Sequence, residues 1–380
     1  METHTVMRIA VLTSSRADYG IYKPLLKALA EDGNFDLSLI VFGTHLSVFH
    51  GFTIDNIIGD GYEIKYKINS LLLNDDQNAI ATATALTSLK FADFWQQHFH
   101  DFDLVFCLGD RYEMFGAVSA GIPYQVKFAH IHGGETTLGA IDNVYRHAIT
   151  LASSLHFVTH DEFAKKVSSI KGDEENVFVT GSLSLDNLAS LQLLSKPAFK
   201  EKWNIDLEIP TVLVTIHPET VAPELNKQHL EQTLIALKQI AEKYQVVITM
   251  PNADTNGNVF REAFIKLGAE LGEKIKLIEN FGTQSYFTCM KLSRFLLGNT
   301  SSGIIEAASF NKFVINIGDR QKGRLSGSNV FHTPFEAESI IKNVNHVEKQ
   351  GEFMGENPYF REGAANKIIS ILKTQNSVKL

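Results

Sequence analysis

Residues 104–131 read LVFCLGDRYEMFGAVSAGIPYQVKFAHI, and this stretch decides the fold class. It opens on the apolar run Leu104–Leu108 and closes on a second one, Lys127–Ile131, with a helix-compatible stretch between them. Two short apolar runs joined by a helix are typical of a parallel βαβ unit, whose strands are buried on both faces. We therefore predict an α/β fold built on parallel sheets.

The same rhythm of strand and helix continues on both sides of this unit. In the first half of the chain, further strands are predicted at Arg8–Thr13, Leu37–Phe42, His156–Val158 and Val177–Thr180. A second series follows at Val212–Ile216, Val246–Met250, Ile275–Ile278, Phe295–Leu297 and Val314–Ile317. No sequence repeat relates the two halves, so we expect two doubly wound parallel sheets that are similar in pattern alone.

The length of 380 residues favours two domains, because a single hydrophobic core rarely serves so long a chain. Residues 186–210 contain two prolines and no clear buried strand, which is typical of a linker that includes a helix. This interpretation gives a first domain over residues 1–185 and a second over residues 211–356.

The last segment, residues 357–380, contains the stretch GAANKIISIL at positions 363–372. Its apolar residues Ala364, Ile368 and Ile371 fall on one face of a helix. We expect this amphipathic helix to pack with that face on a core.

Composition and charge exclude several classes of protein. Apolar residues make up 44% of the chain and charged residues 21%, which is typical of a globular protein rather than a disordered one. The net charge of -8 argues against a nucleic-acid surface, which needs a clustered basic face. We find no run of membrane-spanning length and no signal sequence, so we expect a cytoplasmic protein that binds neither nucleic acid nor membrane.

The two cysteines, Cys107 and Cys289, lie in apolar stretches and are expected to be buried and reduced.

Polar residues follow the predicted strands at the positions where open α/β sheets bind their ligands. The first strand leads into Ser14-Ser15-Arg16, and the strand at Leu104–Leu108 leads into Gly109-Asp110-Arg111. Arg16 and Asp110 are therefore candidates for ligand contact. Each also suits a simpler role, Arg16 as a surface residue beside a capped helix start and Asp110 as the N-cap of the next helix. These residues alone leave both interpretations open.

The strand at Lys127–Ile131 leads into His132-Gly133-Gly134-Glu135. Asp142 and Arg146 follow, four positions apart and so on one face of a helix, where they could also form an ordinary surface ion pair. With Asp110, the residues Glu135 and Asp142 place three acids at adjacent strand ends.

Two histidines, His130 and His132, alternate at the same strand end. A metal site would need further Cys or His residues at ligand spacing, and none accompanies them. We therefore predict buried, hydrogen-bonded histidines and no metal.

In the second half, three loops contain candidate site residues. In His217-Pro218-Glu219 the proline fixes the turn that holds the imidazole, which could be catalytic, although a lone histidine at a loop start is more often structural. Gly298–Gly303 precedes a predicted helix at Ile304–Phe310 that carries Glu306. Hydroxyls and free amides at a helix N-terminus match a diphosphate, although a capped helix without a ligand has the same residues. The third loop, Gly318–Arg324, is basic and suits either phosphate or plain solvation. The glycine motifs of dinucleotide-binding folds and of phosphate-loop ATPases are absent, so neither is expected.

Several of these motifs together resemble one family. In order along the chain they are SSRADYG, GTHLS, LGDRYE, HIHGGETTLGAID, RHAIT, HPE, GNTSSGIIE and DRQKGR. They are similar to the hydrolysing UDP-N-acetylglucosamine 2-epimerases of the sialic and legionaminic acid pathways. The resemblance spans about residue 8 to residue 372. It implies two Rossmann-like domains facing each other across a cleft, as in GT-B glycosyltransferases, with a last helix that crosses back to the first domain, and a homodimer without cofactor.

The resemblance also implies roles for individual residues. The catalytic group would comprise Asp110, Glu135, Asp142, Arg146 and His217. Substrate contacts would come from Arg16, His45, Arg111, Asn252, Thr300, Ser301, Ser302, Glu306 and Arg320. The sequence departs from the family pattern at LSVFHGFT after His45 and at AITLASS after His147, and these departures leave the sugar open.

The reaction implied by the resemblance is an elimination followed by a hydration. UDP would leave from carbon 1 as carbon 2 loses its proton, and water would add to the resulting 2-acetamidoglucal to give the free manno-configured sugar. UDP-N-acetylglucosamine and UDP-N,N'-diacetylbacillosamine are both compatible with the sequence. A GT-B glycosyltransferase and a non-catalytic nucleotide-sugar sensor are the alternatives, because fold alone does not separate them.

Overall fold

The computed structural model describes residues 6–72, 74, 76–251 and 257–378. Its contacts divide the chain into two compact units. Unit 1 comprises Met1–Glu135, Asp142–Ser190 and Tyr359–Leu380, and unit 2 comprises Thr136–Ile141 and Leu191–Pro358.

The strands of the described residues, in chain order, are β1 Met7–Thr13, β2 Phe35–Phe42, β3 Tyr66–Ile68, β4 Leu104–Leu108, β5 Phe128–Ile131, β6 Leu155–Val158, β7 Val177–Val179, β8 Thr211–Thr215, β9 Gln245–Thr249, β10 Ile275–Ile278, β11 Phe295–Gly298, β12 Val314–Ile317 and β13 Val330–Thr333. The α-helices are α1 Arg16–Ala30, α2 Ile54–Gly59, α3 Gln77–His98, α4 Tyr112–Gly121, α5 Asp142–Ala152, α6 Asp161–Lys171, α7 Leu183–Ser190, α8 Lys196–Trp203, α9 Asn226–Ile240, α10 Gly257–Leu271, α11 Gly282–Leu292, α12 Ser301–Ile305, α13 Ala337–Glu348 and α14 Ala364–Val378.

Both sheets are parallel, which confirms the predicted fold class. Unit 1 holds seven strands in the order β3-β2-β1-β4-β5-β6-β7, and unit 2 holds six in the order β10-β9-β8-β11-β12-β13. In each sheet the strand order reverses direction beside the first strand, at β1/β4 and at β8/β11. In open α/β sheets such switch points leave a crevice at the carboxyl ends of the strands. The candidate loops follow strands on both sides of these points.

The core of unit 1 lies on both faces of its sheet. In β1, Ile9 and Val11 belong to an apolar cluster that includes α1 and α14, whereas Ala10 and Leu12 belong to a second cluster with α3 and α4. Since successive side chains of a strand point to opposite faces, this division shows that helices cover the sheet on both sides. A continuous apolar run such as IAVL follows from that arrangement.

The structure contains two strands that the sequence pattern did not predict, β3 and β13. Both lie at the edge of their sheet, and β3 is only three residues long. Neither is fully buried, so neither has a continuous apolar run. The eleven predicted strands are present, and their ends differ from the prediction by at most two residues.

The predicted linker over residues 186–210 is not a separate segment. Asp186 lies in α7, and its carboxylate accepts hydrogen bonds from the main-chain N–H groups of Ala364, at 2.9 Å, and Ala365, at 2.6 Å, in unit 1. The amide of Leu194 donates to Thr288 Oγ1 at 3.0 Å in unit 2. The chain therefore divides at Ser190, and the prediction missed this because polar anchors such as Asp186 read as linker residues.

The first unit also differs from the prediction in lacking the segment Thr136–Ile141, which belongs to unit 2. The amide of Leu138 donates to the carbonyl of Lys322 at 2.9 Å, and that of Ile141 donates to Thr220 Oγ1 at 3.0 Å. Gly139 runs so close to the main chain at Asp319 that an added Cβ would overlap the carbonyl group. This segment is short and forms neither helix nor strand, so the sequence pattern did not indicate its place.

Helix α14 packs on unit 1 through its apolar face. Ala364, Ile368 and Leu372 are fully buried in the cluster that contains α1, and Ile371 is partly buried beside them. The two cysteines are buried and free, as predicted. Among the residues that the structure describes, no helix is long and apolar enough to span a bilayer.

Candidate active site

The acids predicted in unit 1 follow neighbouring strands. Strands β4 and β5 pair with Leu108 opposite Ile131, so the loops that begin at Gly109 and His132 leave the same edge of the sheet. Asp110 lies in the first of these loops and Glu135 at the end of the second, while Asp142 is the first residue of α5. The topology thus brings loops with ionisable side chains to one edge.

Arg146 joins the two loops. Its side chain is buried, and its guanidinium pairs with the carboxylate of Asp110 through Nη2 and donates from Nη1 to the carbonyl of Glu135 at 2.8 Å. A buried guanidinium without such partners would be strongly unfavourable, so the contacts determine where both loops lie. The alternative of an ordinary surface ion pair for Arg146 is wrong, because the side chain is only 1% exposed.

Asp110 is not the cap of the following helix. Helix α4 begins at Tyr112, and its N-cap is Arg111, which makes no side-chain capping bond. The Asp110 side chain instead remains 26% exposed beside Arg146. Its carboxylate is therefore held by a cation and remains accessible to solvent.

Arg111 pairs with a carboxylate in the first turn of α4. Its Nη2 and Nε lie 2.9 Å and 3.1 Å from the two carboxylate oxygens of the buried Glu113. Such a two-point contact restrains the guanidinium plane. Arg111 is thus fixed at the end of β4, next to Asp110.

Glu135 is fully buried at the end of the β5 loop. Its Oε1 lies 3.4 Å from Thr159 Oγ1 and 3.4 Å from Nδ1 of His132. His132 is itself buried and has a positive φ of 65°. These two side chains form a buried imidazole–carboxylate pair.

His130 has a structural role, as the sequence predicted. Its Nε2 donates to the carbonyl of Gly109 at 2.9 Å, and its Nδ1 lies 3.1 Å from the hydroxyl of Thr150. Burial lowers the pKa of His130 to about 4, so the ring is neutral at physiological pH. Within the described ranges, no group of three or more His, Cys, Asp or Glu side chains could hold a metal ion.

The loop after β1 is organised by a residue that the prediction missed, Asp18. Its carboxylate accepts from Thr13 Oγ1 at 2.6 Å and from the amide of Ser14 at 2.8 Å, and it closes a capping box with Ser15. Burial opposes its ionisation, but hydrogen bonds from His45 and Thr13 outweigh that and lower the pKa of Asp18. The spacing of Ser15 and Asp18 is the signal that could have found it.

The predicted substrate residues Arg16 and His45 differ in burial. Arg16 is the first residue of α1 and is partly exposed. His45 is fully buried after β2, with Nε2 at 2.9 Å from Thr13 Oγ1 and Nδ1 at 2.8 Å from Thr53 Oγ1. His45 therefore holds the loop after β1 against the loop after β2.

In unit 2, Asn299 connects two of the predicted loops. Its side chain is fully buried, accepts from the amide of His217 at 2.8 Å and donates to the carbonyl of His217 at 2.8 Å. The loop after β8 is thereby fixed to the loop after β11. His217 is itself buried, so its imidazole has a defined place at the end of β8.

The loop Gly318–Arg324 folds back onto the same region. The amide of Asp319 donates to Glu219 Oε1, and Nη1 of Arg320 donates to the carbonyl of Pro218 at 3.2 Å. Gln321 donates to the carbonyl of Asn299 at 2.9 Å. The basic loop is thus an ordered part of unit 2.

The segment Thr300–Glu306 follows β11 closely. Gly298 has φ of 146°, and an added Cβ would overlap the Thr215 carbonyl, so only glycine fits there. Thr300 caps α12, and its Oγ1 accepts from the amide of Ser302 at 3.4 Å. The predicted helix at Ile304–Phe310 is instead α12, Ser301–Ile305, followed by a tighter turn at Ala307–Phe310.

Both the sequence and the fold of this chain are similar to those of known proteins. Residues 27–373 match the family described as UDP-N-acetylglucosamine 2-epimerase. The chain belongs to this epimerase family. The chain is 34% identical to the GDP/UDP-N,N'-diacetylbacillosamine 2-epimerase (hydrolyzing) of Campylobacter jejuni. The alignment of 325 residues covers 85% of this chain and 83% of the Campylobacter jejuni protein.

One further comparison concerns the sequence and another concerns the fold. The epimerase is 32% identical over 371 residues to the polysialic acid biosynthesis protein P7 of Escherichia coli, covering 96% and 93% of the two chains. In fold the chain is similar to the crystal structure of the UDP-GlcNAc 2-epimerase of Neisseria meningitidis bound to UDP-GlcNAc, with a TM-score of 0.80. The two sequences are 18% identical, and the superposition covers 97% of this chain and 100% of the Neisseria meningitidis chain. The predicted family is confirmed.

The structure of the epimerase thus groups the predicted site residues into two sets. Within unit 1, Arg146 brings Asp110 and the Glu135 main chain together, with Asp142 at the start of the same helix. Within unit 2, Asn299 and Gln321 bring together the loops that hold His217, Thr300 and Arg320. Asn252 lies outside the described residues. Sequence reasoning missed Asp18 and Asn299, which position the loops.

Proposed function

We propose that this epimerase is a hydrolysing 2-epimerase, which converts a UDP-N-acetylamino sugar to the free manno-configured sugar and UDP. The observation that carries the proposal is the buried Arg146, which holds the Asp110 carboxylate and the Glu135 loop at adjacent strand ends. The names of relatives support it, since the Campylobacter jejuni protein is described as hydrolyzing.

The proposed reaction has two steps. A base removes the proton from carbon 2 while the bond from carbon 1 to the UDP oxygen breaks, so the C–H electron pair becomes the C1=C2 double bond of a 2-acetamidoglucal. Water then adds its hydroxyl to carbon 1, and carbon 2 receives a proton on the opposite face. The net reaction consumes one water and releases UDP. Acid–base groups are needed on both faces of the sugar, and a cluster of carboxylates supplies them.

We assign the proposed functions to the two units separately. Unit 1 would supply the sugar chemistry through Asp110, Glu135, Asp142 and Arg146, with Arg16 and Arg111 as substrate contacts. His45, which is fully buried and bonded through both ring nitrogens, would position the loops instead of contacting the substrate. Unit 2 would hold the UDP portion through Thr300, Ser301, Ser302, Glu306 and Arg320, together with Asn252, and would contribute His217. Main-chain amides and hydroxyls at Thr300–Ser302 suit a diphosphate in an acidic protein, because they bind anions without a net basic charge.

The substrate is proposed to be UDP-N-acetylglucosamine or UDP-N,N'-diacetylbacillosamine, and the name of the Campylobacter jejuni relative favours the second. A cytoplasmic homodimer remains part of the proposal, as does a place in the synthesis of sialic or legionaminic acid.

The test is incubation of the purified protein with each UDP-sugar in deuterated water, read by NMR. We expect stoichiometric UDP and a free sugar with one deuterium at carbon 2. A product that keeps its UDP would contradict hydrolysis, and a need for an acceptor sugar would indicate a glycosyltransferase instead. The better substrate is the one with the higher kcat/KM.

A further inference from the structure

His132 has a main-chain conformation that is unusual for its residue type. Its φ of 65° lies in the left-handed region, where a side chain other than that of glycine is strained. The amide of His132 donates to the carbonyl of Phe157 at 3.1 Å, which fixes this conformation at the junction of β5 with its loop. Gly133 and Gly134 follow directly, so a glycine at 132 would have been the simpler choice for the turn.

The imidazole of His132 has one partnered nitrogen and one without a partner. Nδ1 lies 3.4 Å from Glu135 Oε1, and the two side chains are 7% and 0% exposed. Nε2 is buried and forms no hydrogen bond with any described residue. Buried polar atoms are nearly always paired, so this one calls for a partner that binds there.

The neighbouring His130 differs from His132 in its hydrogen bonds. It lies two residues earlier and is also buried, but both of its nitrogens have protein partners, in Gly109 and Thr150. His130 therefore has no free lone pair, whereas the Glu135 carboxylate next to Nδ1 of His132 favours a proton on Nδ1 and a lone pair on Nε2.

We infer that Nε2 of His132 is the base that takes the carbon-2 proton, and that Glu135 orients the ring instead of reacting itself. The inference rests on the proposed function and deepens it. The lone pair on Nε2 takes the proton as the C–H electrons form the double bond and UDP departs with the C1–O pair. The proton on Nε2 is then released to water, and the proton that arrives on the other face of carbon 2 also comes from water.

The carboxylate explains how a buried imidazole can accept this proton. Burial alone disfavours an imidazolium, while a carboxylate beside Nδ1 stabilises it. This is the division of roles found where a carboxylate orients a histidine base in hydrolases. Oε1 of Glu135 already contacts Thr159 Oγ1 and Nδ1 of His132, which suits an orienting group.

Two substitutions separate a base from a residue that only positions Glu135. Asparagine tolerates the left-handed conformation, and its amide can donate to Glu135 as Nδ1–H does, but it has no Nε2. We expect H132N to fold with an unchanged melting temperature and KM and to lose at least about 100-fold in kcat. H132G, which suits the turn without strain, should lose as much. The exposed His100 lies at the opposite end of β4, and H100N is the control that should keep full activity.

Two readouts are specific to proton transfer. With substrate deuterated at carbon 2, the kinetic isotope effect on UDP release should increase in H132N, because proton abstraction then limits the rate. E135Q should also be slow, and the H132N/E135Q double variant should be no slower than H132N, since the two residues act as one unit.

The outcomes decide between the proposals. Wild-type rates in H132N or H132G with an inactive E135Q would show that Glu135 reacts directly and would overturn the inference while the hydrolysing function stands. Losses that multiply in the double variant would also overturn it. A wild-type protein that releases no UDP and no deuterated sugar would overturn the proposed function, and the inference with it.

Discussion

At the scale of single residues, the ionisable side chains of unit 1 divide into those that hold the site and those left to react. Arg146, His45 and Asp18 are buried and use their polar atoms on neighbouring loops. Asp110 is the partly exposed member of its pair. Residues of the same chemical type therefore differ in role through burial and partners.

Arg146 should matter for stability as well as for activity. We expect Arg146→Ala to lower the free energy of unfolding by about 3 kcal/mol, because it removes a buried cation that pairs with Asp110 and the Glu135 carbonyl. Arg8→Ala is the control, since its pair with Asp103 is exposed and should contribute at most about 1 kcal/mol. Urea denaturation measures both, and equal losses would contradict the assigned role.

The buried histidines predict how stability depends on pH. Burial lowers the pKa of His130 to about 4 and that of His156 to about 3, from an ordinary value near 6.5. Between these values the unfolded chain binds a proton that the folded one does not, so stability is complete above pH ~6.5 and is lost as the pH falls toward 4.

The test compares unfolding free energies from pH 7 to pH 4 for the wild type and His156→Leu. In the variant, the unfolding free energy should change less steeply with pH, by about 1.4 kcal/mol per pH unit, because one fewer proton is taken up on unfolding. An unchanged slope would show that His156 does not titrate in this way.

At the scale of elements, the sequence predicted the buried strands and missed the edges. Continuous apolar runs such as LVFCL could be found because both faces of β4 are covered. The edge strands β3 and β13 are partly exposed, and their sequences have no such run. The strand ends could be found as well, and with them Asp110, Glu135 and His217. The contacts of Asp18 and Asn299 could not, because they depend on which loops lie side by side.

Helix α14 provides a test of packing at this scale. Ile368 is fully buried against the cluster that contains α1, so Ile368→Ala should lower the unfolding free energy by about 3 kcal/mol. Ile371→Ala, one turn later and only partly buried, should cost less. Thermal unfolding of both variants gives the comparison, and equal shifts would mean that the helix packs through another face.

At the scale of the whole molecule, the sequence indicated two α/β halves, and the family resemblance implied a last helix that returns to the first, but neither indicated the place of Thr136–Ile141. Unit 2 takes Thr136–Ile141 out of the first half, and unit 1 takes Tyr359–Leu380 from the end. The helical spacing of apolar residues in the last segment, which includes Ile368, was visible in the sequence. The place of Gly139 was not, because its close approach to Asp319 is a long-range contact.

Gly139 tests the importance of that placement. An added Cβ would overlap the main chain of Asp319, so Gly139→Ala should displace the segment between Glu135 and Asp142. We expect kcat to fall at least about tenfold, since small misplacements of catalytic groups slow reactions strongly. Gly59→Ala is the control, because a Cβ there meets no atom within 4 Å. Unchanged turnover in Gly139→Ala would show that the segment does not position the acids.

The shared segments have a consequence for dissecting the enzyme. The chain passes from one unit to the other after Glu135, Ile141, Ser190 and Pro358, so a gene cut at any single point leaves at least one unit incomplete. Neither fragment of a chain cut at Ser190 should therefore fold fully on its own, whereas a circular permutant keeps every segment in one chain. The two units would therefore have to evolve, and be engineered, together as a single chain.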